Sequence, residues 1–175
     1  AVGMAESDSS AVDFDMVPAI PVGTAGDYLS RPGFWHGAIG VAACWYGGAC
    51  GVADPLYDKA ASSEDPYVLA HLGAVDAALA AARNALAVAA AEIDADPFDE
   101  NAEAMHRALR VRAIVERAAT ETLDRVGRAL GAAPLCMDAA HAARVADLTV
   151  YLRQSHAEKD LAELGRIAAK GKRPW

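Results

Sequence analysis

From Pro66 onward the apolar residues recur at helical spacing. Val68, Leu72, Val75, Leu79, Leu86 and Ile93 stand three, four or seven apart. Met105, Leu109, Ile114, Leu123, Val126 and Leu130 do nearly the same. Such stripes put apolar side chains on one face of an α-helix and bury that face against its neighbours. The polar punctuation fits. Ser62-Ser63-Glu64-Asp65-Pro66 supplies caps, an acidic first turn and a proline near the first helical position, which together mark a helix start. A helix is therefore predicted from there to about Asp94. Asp96 to Glu100 predicts a turn, and the next helix runs from about Asn101 to Leu130, with Gly131 placed to end it. A shorter helical piece is predicted from Pro134 to about Tyr151, and a last helix from about Ala157 to Ala169. Upstream, Gly33 to Lys59 reads as one more helix, rich in glycine and alanine.

The first 32 residues break this pattern. Val12, Phe14 and Met16 alternate with Asp13 and Asp15, which predicts a half-buried strand. Pro18 and Pro21 end it, and Gly23, Gly26 and Gly33 mark a loop. Short turns between long helices give antiparallel neighbours. The expected architecture is all-α: an up-down four-helix bundle over residues 33–175, preceded by an extended arm over residues 1–32 with no core of its own.

Composition agrees. At 175 residues the chain is one domain by length. Its hydrophobic fraction of 54% is largely alanine, which favours helix. The net charge of −8 argues against nucleic acid, which wants a basic face. Lys170, Lys172 and Arg173 form only a short basic tail. Cys44, Cys50 and Cys136 form no CxxC pair, and Cys44 and Cys50 sit among apolar residues, so buried reduced thiols and a cytoplasmic location are expected. No uninterrupted apolar run reaches the roughly 20 residues that span a bilayer, and no signal peptide is visible. The sequence starts at Ala1 without an initiator Met, so a fragment or processed piece is expected. Gly37, Gly40, Gly47, Gly48 and Gly51 share the first helix. Each costs about 1 kcal/mol against alanine, which suggests that another backbone or a flat ligand comes close.

Polar residues crowd the segment Arg144 to Arg166, R-V-A-D-L-T-V-Y-L-R-Q-S-H-A-E-K-D-L-A-E-L-G-R. Its order resembles the end of the acyl-CoA dehydrogenase family, where a loop with a Glu-Gly pair leads straight into a helix. Arg31 to Asp54, with its small-residue G-V-A pattern, resembles that family's first C-terminal helix. Ala11 to Tyr28 resembles the last strand of its middle β-domain, and Arg128-Ala-Leu-Gly131 falls where the family has its flavin-facing Q-I-L-G-G turn. The resemblance covers essentially the whole chain and about half of such an enzyme. It implies the C-terminal domain of an FAD-dependent oxidoreductase acting on an acyl-CoA or related substrate. Arg128, Gly131, Ala157 and Lys159 would lie toward the cofactor. It also implies a homo-oligomer, with the first and last helices most involved, and only weak FAD binding by this chain alone.

The departures bear on chemistry. The family's catalytic glutamate falls on Ser155 and its glycine on His156. The alternative base position, near the start of the first C-terminal helix, holds Ser30. The Arg-x-x-Phe-Gly stretch that reaches a neighbouring subunit's flavin falls near Glu64 to Tyr67 and is not kept. Proton abstraction beside a thioester needs a base within hydrogen-bond reach. His156 and His36 are the candidates for that gap, since histidine titrates near neutral pH. Ser155, His156 and His36 are thus the expected catalytic residues. Flavin monooxygenases of the same fold use a histidine and a serine near this loop, which makes that reaction the alternative. A non-catalytic helical oligomerisation domain is the other. A lone histidine more commonly caps a helix or bonds backbone, and His71, His106 and His141 are expected on helical surfaces. No His-x-x-x-His spacing marks a metal site. Trp35 and Trp45 suit packing or the wall of a pocket.

Overall fold

The computed structural model describes residues 3–171. Lys172 and Arg173 of the basic tail lie outside them. The described chain is all-helical: α1 (Asp27–Ser30), α2 (Pro32–Ala60), α3 (Pro66–Ala95), α4 (Ala104–Leu130), α5 (Ala133–Met137), α6 (Ala139–Tyr151) and α7 (Glu158–Lys170). Short 3-10 turns cover Ala5–Ser7 and Leu152–Gln154.

Three long helices make the core. α4 packs against both α2 and α3, which also touch each other; α6 lies on α2 and α7 on α4. α4 buries a wide face, with Ala104, Ala108, Val111, Val115, Ala119, Thr122 and Val126 all inside. Much of the interior is alanine, which lets helix axes come near the close end of the usual 8–10 Å range. Trp45, Val52 and Leu56 of α2 and Val75 of α3 supply the bulk. Thr122, fully buried, satisfies its hydroxyl by donating to the Ala118 carbonyl at 2.8 Å.

Side-chain caps set several boundaries. Asp65 accepts from the Tyr67 amide at 2.8 Å and Pro66 opens α3, as the sequence predicts. α4 begins at Ala104 rather than Asn101, because Asp99 takes the amides of Glu103 and Ala104, both at 2.8 Å. Asp96 accepts from the amides of Glu100 and Asn101, so the loop closes on carboxylates before the helix starts. The piece expected from Pro134 to Tyr151 is split at Asp138, whose carboxylate accepts from Ala140 and His141 and caps α6.

Other expectations are corrected. Val12, Phe14 and Met16 form no strand; Phe14 is 79% and Met16 94% exposed, with φ +50° at Met16. Alternation without a neighbouring strand leaves backbone groups unpaired, and the arm stays irregular up to α1. Gly3 and Met4 nevertheless lie against α6, where the Met4 amide donates to Asp147. Cys44 and Cys136 are exposed and Cys50 half-buried, against the expectation of buried thiols. His141 is buried rather than on the surface, while Ile114 turns outward. Of the five clustered α2 glycines, only Gly48 is closely approached, with Leu148 Cδ1 3.1 Å from where a Cβ would stand. By length and composition α3 could cross a membrane, although Asp76 and Arg83 interrupt its apolar run.

Candidate functional site

One end of the molecule carries a groove of about 670 Å³, within the usual size range of small-molecule sites. Four elements converge on it. α1 gives Tyr28, the start of α2 gives Phe34, Trp35 and Ala38, the start of α4 gives Met105 and Leu109, and α7 gives Lys159 and Glu163. The wall is aromatic. Phe34 meets Tyr28 edge-on at 5.7 Å and Trp35 at 5.1 Å between ring centroids. Arg31 stacks its guanidinium 4.4 Å above the Tyr28 ring.

The groove's inner side is held by Arg112, a residue the sequence reading passed over. It follows Ala108 by one helical turn and so lies on the edge of α4's buried stripe. Its guanidinium sits 4.5 Å over the Trp45 ring and donates to the carbonyls of Ala38 at 3.1 Å and Gln154 at 3.2 Å. Burial pushes its pKa down, while Asp160 and Tyr151 oppose that shift. Tyr151 meets Trp45 edge-on at 6.3 Å, and burial, with Cys44 beside it, raises its pKa. Arg112 thus ties together α2, α4 and the turn just before Ser155. The signal in the sequence was a charged residue on an apolar stripe.

That turn leads through Ser155-His156-Ala157 into α7. Ser155 Oγ accepts from the Ala157 amide at 3.2 Å, a local turn that reverses the chain. Ala157 has φ +43° and ψ −111°, a conformation that costs an alanine energy. His156 lines the groove, its side chain 69% exposed, with Nδ1 3.5 Å from Asp160 Oδ1. The Asp160 carboxylate also accepts from the His156 amide at 3.4 Å.

The expected site residues divide into two groups. His156 and Lys159 line the groove, with Ser155 and Ala157 in the turn that presents them. His36 is half-buried on α2 beside the groove without lining it, and its Nε2 has no hydrogen-bond partner among the described residues. Arg128 and Gly131 lie at the other end of α4, about 35 Å from Met105 at 1.5 Å per residue. There Arg128 pairs with Asp124 at 2.9 Å in the open, and Gly131, at φ +71°, ends the helix. Within one chain, the two groups cannot hold the same part of a cofactor. The groove wall is aromatic at Tyr28, Phe34 and Trp35 and carries both signs of charge, with Arg31, Lys159 and Arg166 beside Asp160 and Glu163. Among the described residues no group of three or more His, Cys, Asp or Glu side chains gathers as a metal site would require. No protein-family model, no curated protein and no solved structure matches this chain.

Proposed function

We propose that this chain is the C-terminal helical part of an acyl-CoA dehydrogenase-like flavoprotein. On this reading it walls the site of an oxidoreductase acting on an acyl thioester. The observation that carries the proposal is the Ser155-His156-Ala157 turn. It delivers His156 to an aromatic groove at the point where a broken helical segment resumes as α7. On this reading the α6 and α7 segments, which lie on α2 and α4, would stand in for the fourth helix of the family's bundle. A bound FAD would supply the hydride acceptor. This chain's residues would shape the acyl pocket with Phe34 and Trp35, exclude water from it, and hold or move a proton at His156. Arg128 and Gly131, at the far end of α4, would serve a flavin shared with a second copy. The arm before α1 exposes Val12, Phe14, Ile20 and Val22, as the end of a neighbouring β-domain would.

A second reading is flavin-dependent monooxygenation at the same groove. It is favoured by the serine and histidine that stand where the dehydrogenases have a glutamate. The test is to express the complete reading frame, measure bound flavin, and mix it anaerobically with a panel of acyl-CoA thioesters. Flavin bleaching by a thioester supports dehydrogenation. Bleaching only by a nicotinamide cofactor, with oxygen consumed once air is admitted, supports the second reading. A complete protein that binds no flavin contradicts both.

A further inference from the structure

We propose that α3 pairs antiparallel with α3 of a second copy of this chain, in one specific register. α3 turns Val68, Val75, Leu79, Ala82 and Ala89 into the core. Its opposite face carries Ala70, Gly73, Ala77, Ala80, Asn84, Ala87 and Ala91, all exposed. These positions alternate by three and four residues, the spacing of a coiled-coil seam. Of the helix's most apolar 18-residue stretch only 22% is buried. A Cβ at Gly73 would meet nothing within 4 Å, so no contact among the described residues requires a glycine there. A glycine in mid-helix costs stability, and a close helix across the seam supplies the missing reason.

The charges select the partner. Between Pro66 and Ala91 the only ionised side chains are Asp76 and Arg83. They stand two turns apart on one flank of the seam, both exposed, and neither is in an ion pair among the described residues. Among the described residues Asp76 receives only the Tyr57 hydroxyl, at 3.0 Å. An antiparallel copy of the same helix reverses their order. With the two-fold axis between Ala78 and Leu79, Ala70 meets the partner's Ala87, Gly73 meets the partner's Asn84, and Ala77 meets the partner's Ala80. In that register Asp76 is level with the partner's Ala81, two residues or about 3 Å along the axis from the partner's Arg83, a gap an arginine side chain spans, and the two-fold repeats the pair at Arg83. One choice of axis therefore closes the small-residue seam and leaves both charge pairs on its flank within side-chain reach. Asn84 within the seam fixes the register. Self-complementarity of this kind is what a two-fold interface requires, whereas a lipid surface gives no reason for a paired acid and base.

The test is sedimentation velocity on the 175-residue chain at roughly micromolar to hundreds of micromolar, with helix content checked by circular dichroism. The native chain should dimerise, more weakly in high salt. Because of the two-fold, Asp76→Arg turns both attractive contacts into repulsive ones and should raise Kd by about tenfold or more. Adding Arg83→Asp to that variant should bring Kd back to within about threefold of native. Ala77→Arg, an exposed change that leaves the core intact, should give a monomer of unchanged helicity. A native chain that stays monomeric overturns the proposal, including one recruited as a monomer to neutral phosphatidylcholine vesicles. So does a dimer indifferent to Asp76→Arg, or a double variant as weak as the single one.

Discussion

The two ends of α4 carry similar residue types and do different things. At the far end Arg128 pairs with Asp124 one turn away, both more than half exposed, and Gly131 ends the helix. At the near end Arg112 has no carboxylate within ion-pair distance among the described residues. It is instead enclosed by a tryptophan ring and two backbone carbonyls from other elements. A charge that stays in water contributes little. A half-buried charge that bonds carbonyls of two other elements fixes their position relative to its own helix. The near end, where the chain spends charge on holding a loop beside an aromatic groove, is therefore the end to read for function.

The largest expected difference follows from that contrast. Arg112→Ala removes two cross-element hydrogen bonds and a cation–π contact. It should lower unfolding stability by about 2 kcal/mol or more, while Arg128→Ala should stay within about 0.5 kcal/mol. Urea unfolding of the two variants beside the native chain reads both. Equal losses would remove the distinction between the ends.

Smaller effects test how the segment that carries His156 is seated. Gly47→Ala points its methyl into open space and should raise stability by about 0.5–1 kcal/mol. Gly48→Ala should forfeit that gain, because its Cβ would meet Leu148 of α6 at 3.1 Å. If both variants stabilise equally, α6 is not held against α2 as described.

Acid sets a further, smaller effect. Asp96 and Asp138 have carboxyl pKa values held below the ordinary 3.8, chiefly by the amides of Glu100 and of His141. A depressed folded pKa gives stability that is complete above the unfolded value and lost as pH falls through the folded one. The urea midpoint should therefore hold steady down to about pH 4 and fall below it. Asp138→Asn keeps an oxygen to cap α6 and should flatten part of that fall. An unchanged acid limb would show that the cap carboxylate does not titrate differently in the folded state.

How far the sequence could be read follows the physics of each segment. α3 was legible because Asp65 and Pro66 announce it and a single apolar stripe fills it. α4 was harder. It packs against two helices, so its buried face is wider than one stripe, and Ile114 fell outside it. Its start shifted because Asp99 competes for the first amides, a choice that depends on the turn closing. The arm misled, since period-two alternation reads as a strand only when another strand is there to pair with. Of the site, the His156 turn was visible as a polar break between helical runs. The distance from it to Arg128 and Gly131 was not, because order along the chain says nothing of separation in space. Arg112 was missed because an arginine on a helix is usually a solvated one, and only its tertiary partners show otherwise.

The most direct test of the groove as the working end, under the proposed flavoprotein reading, is steady-state turnover of the complete protein with His156→Ala, with flavin content and melting temperature measured alongside. His156 is 69% exposed on the groove wall, so flavin content and melting temperature should not move. Turnover should fall by about a hundredfold or more if the imidazole handles a proton there. Turnover unchanged at full flavin content would contradict the assignment and leave the near end of α4 as structure alone.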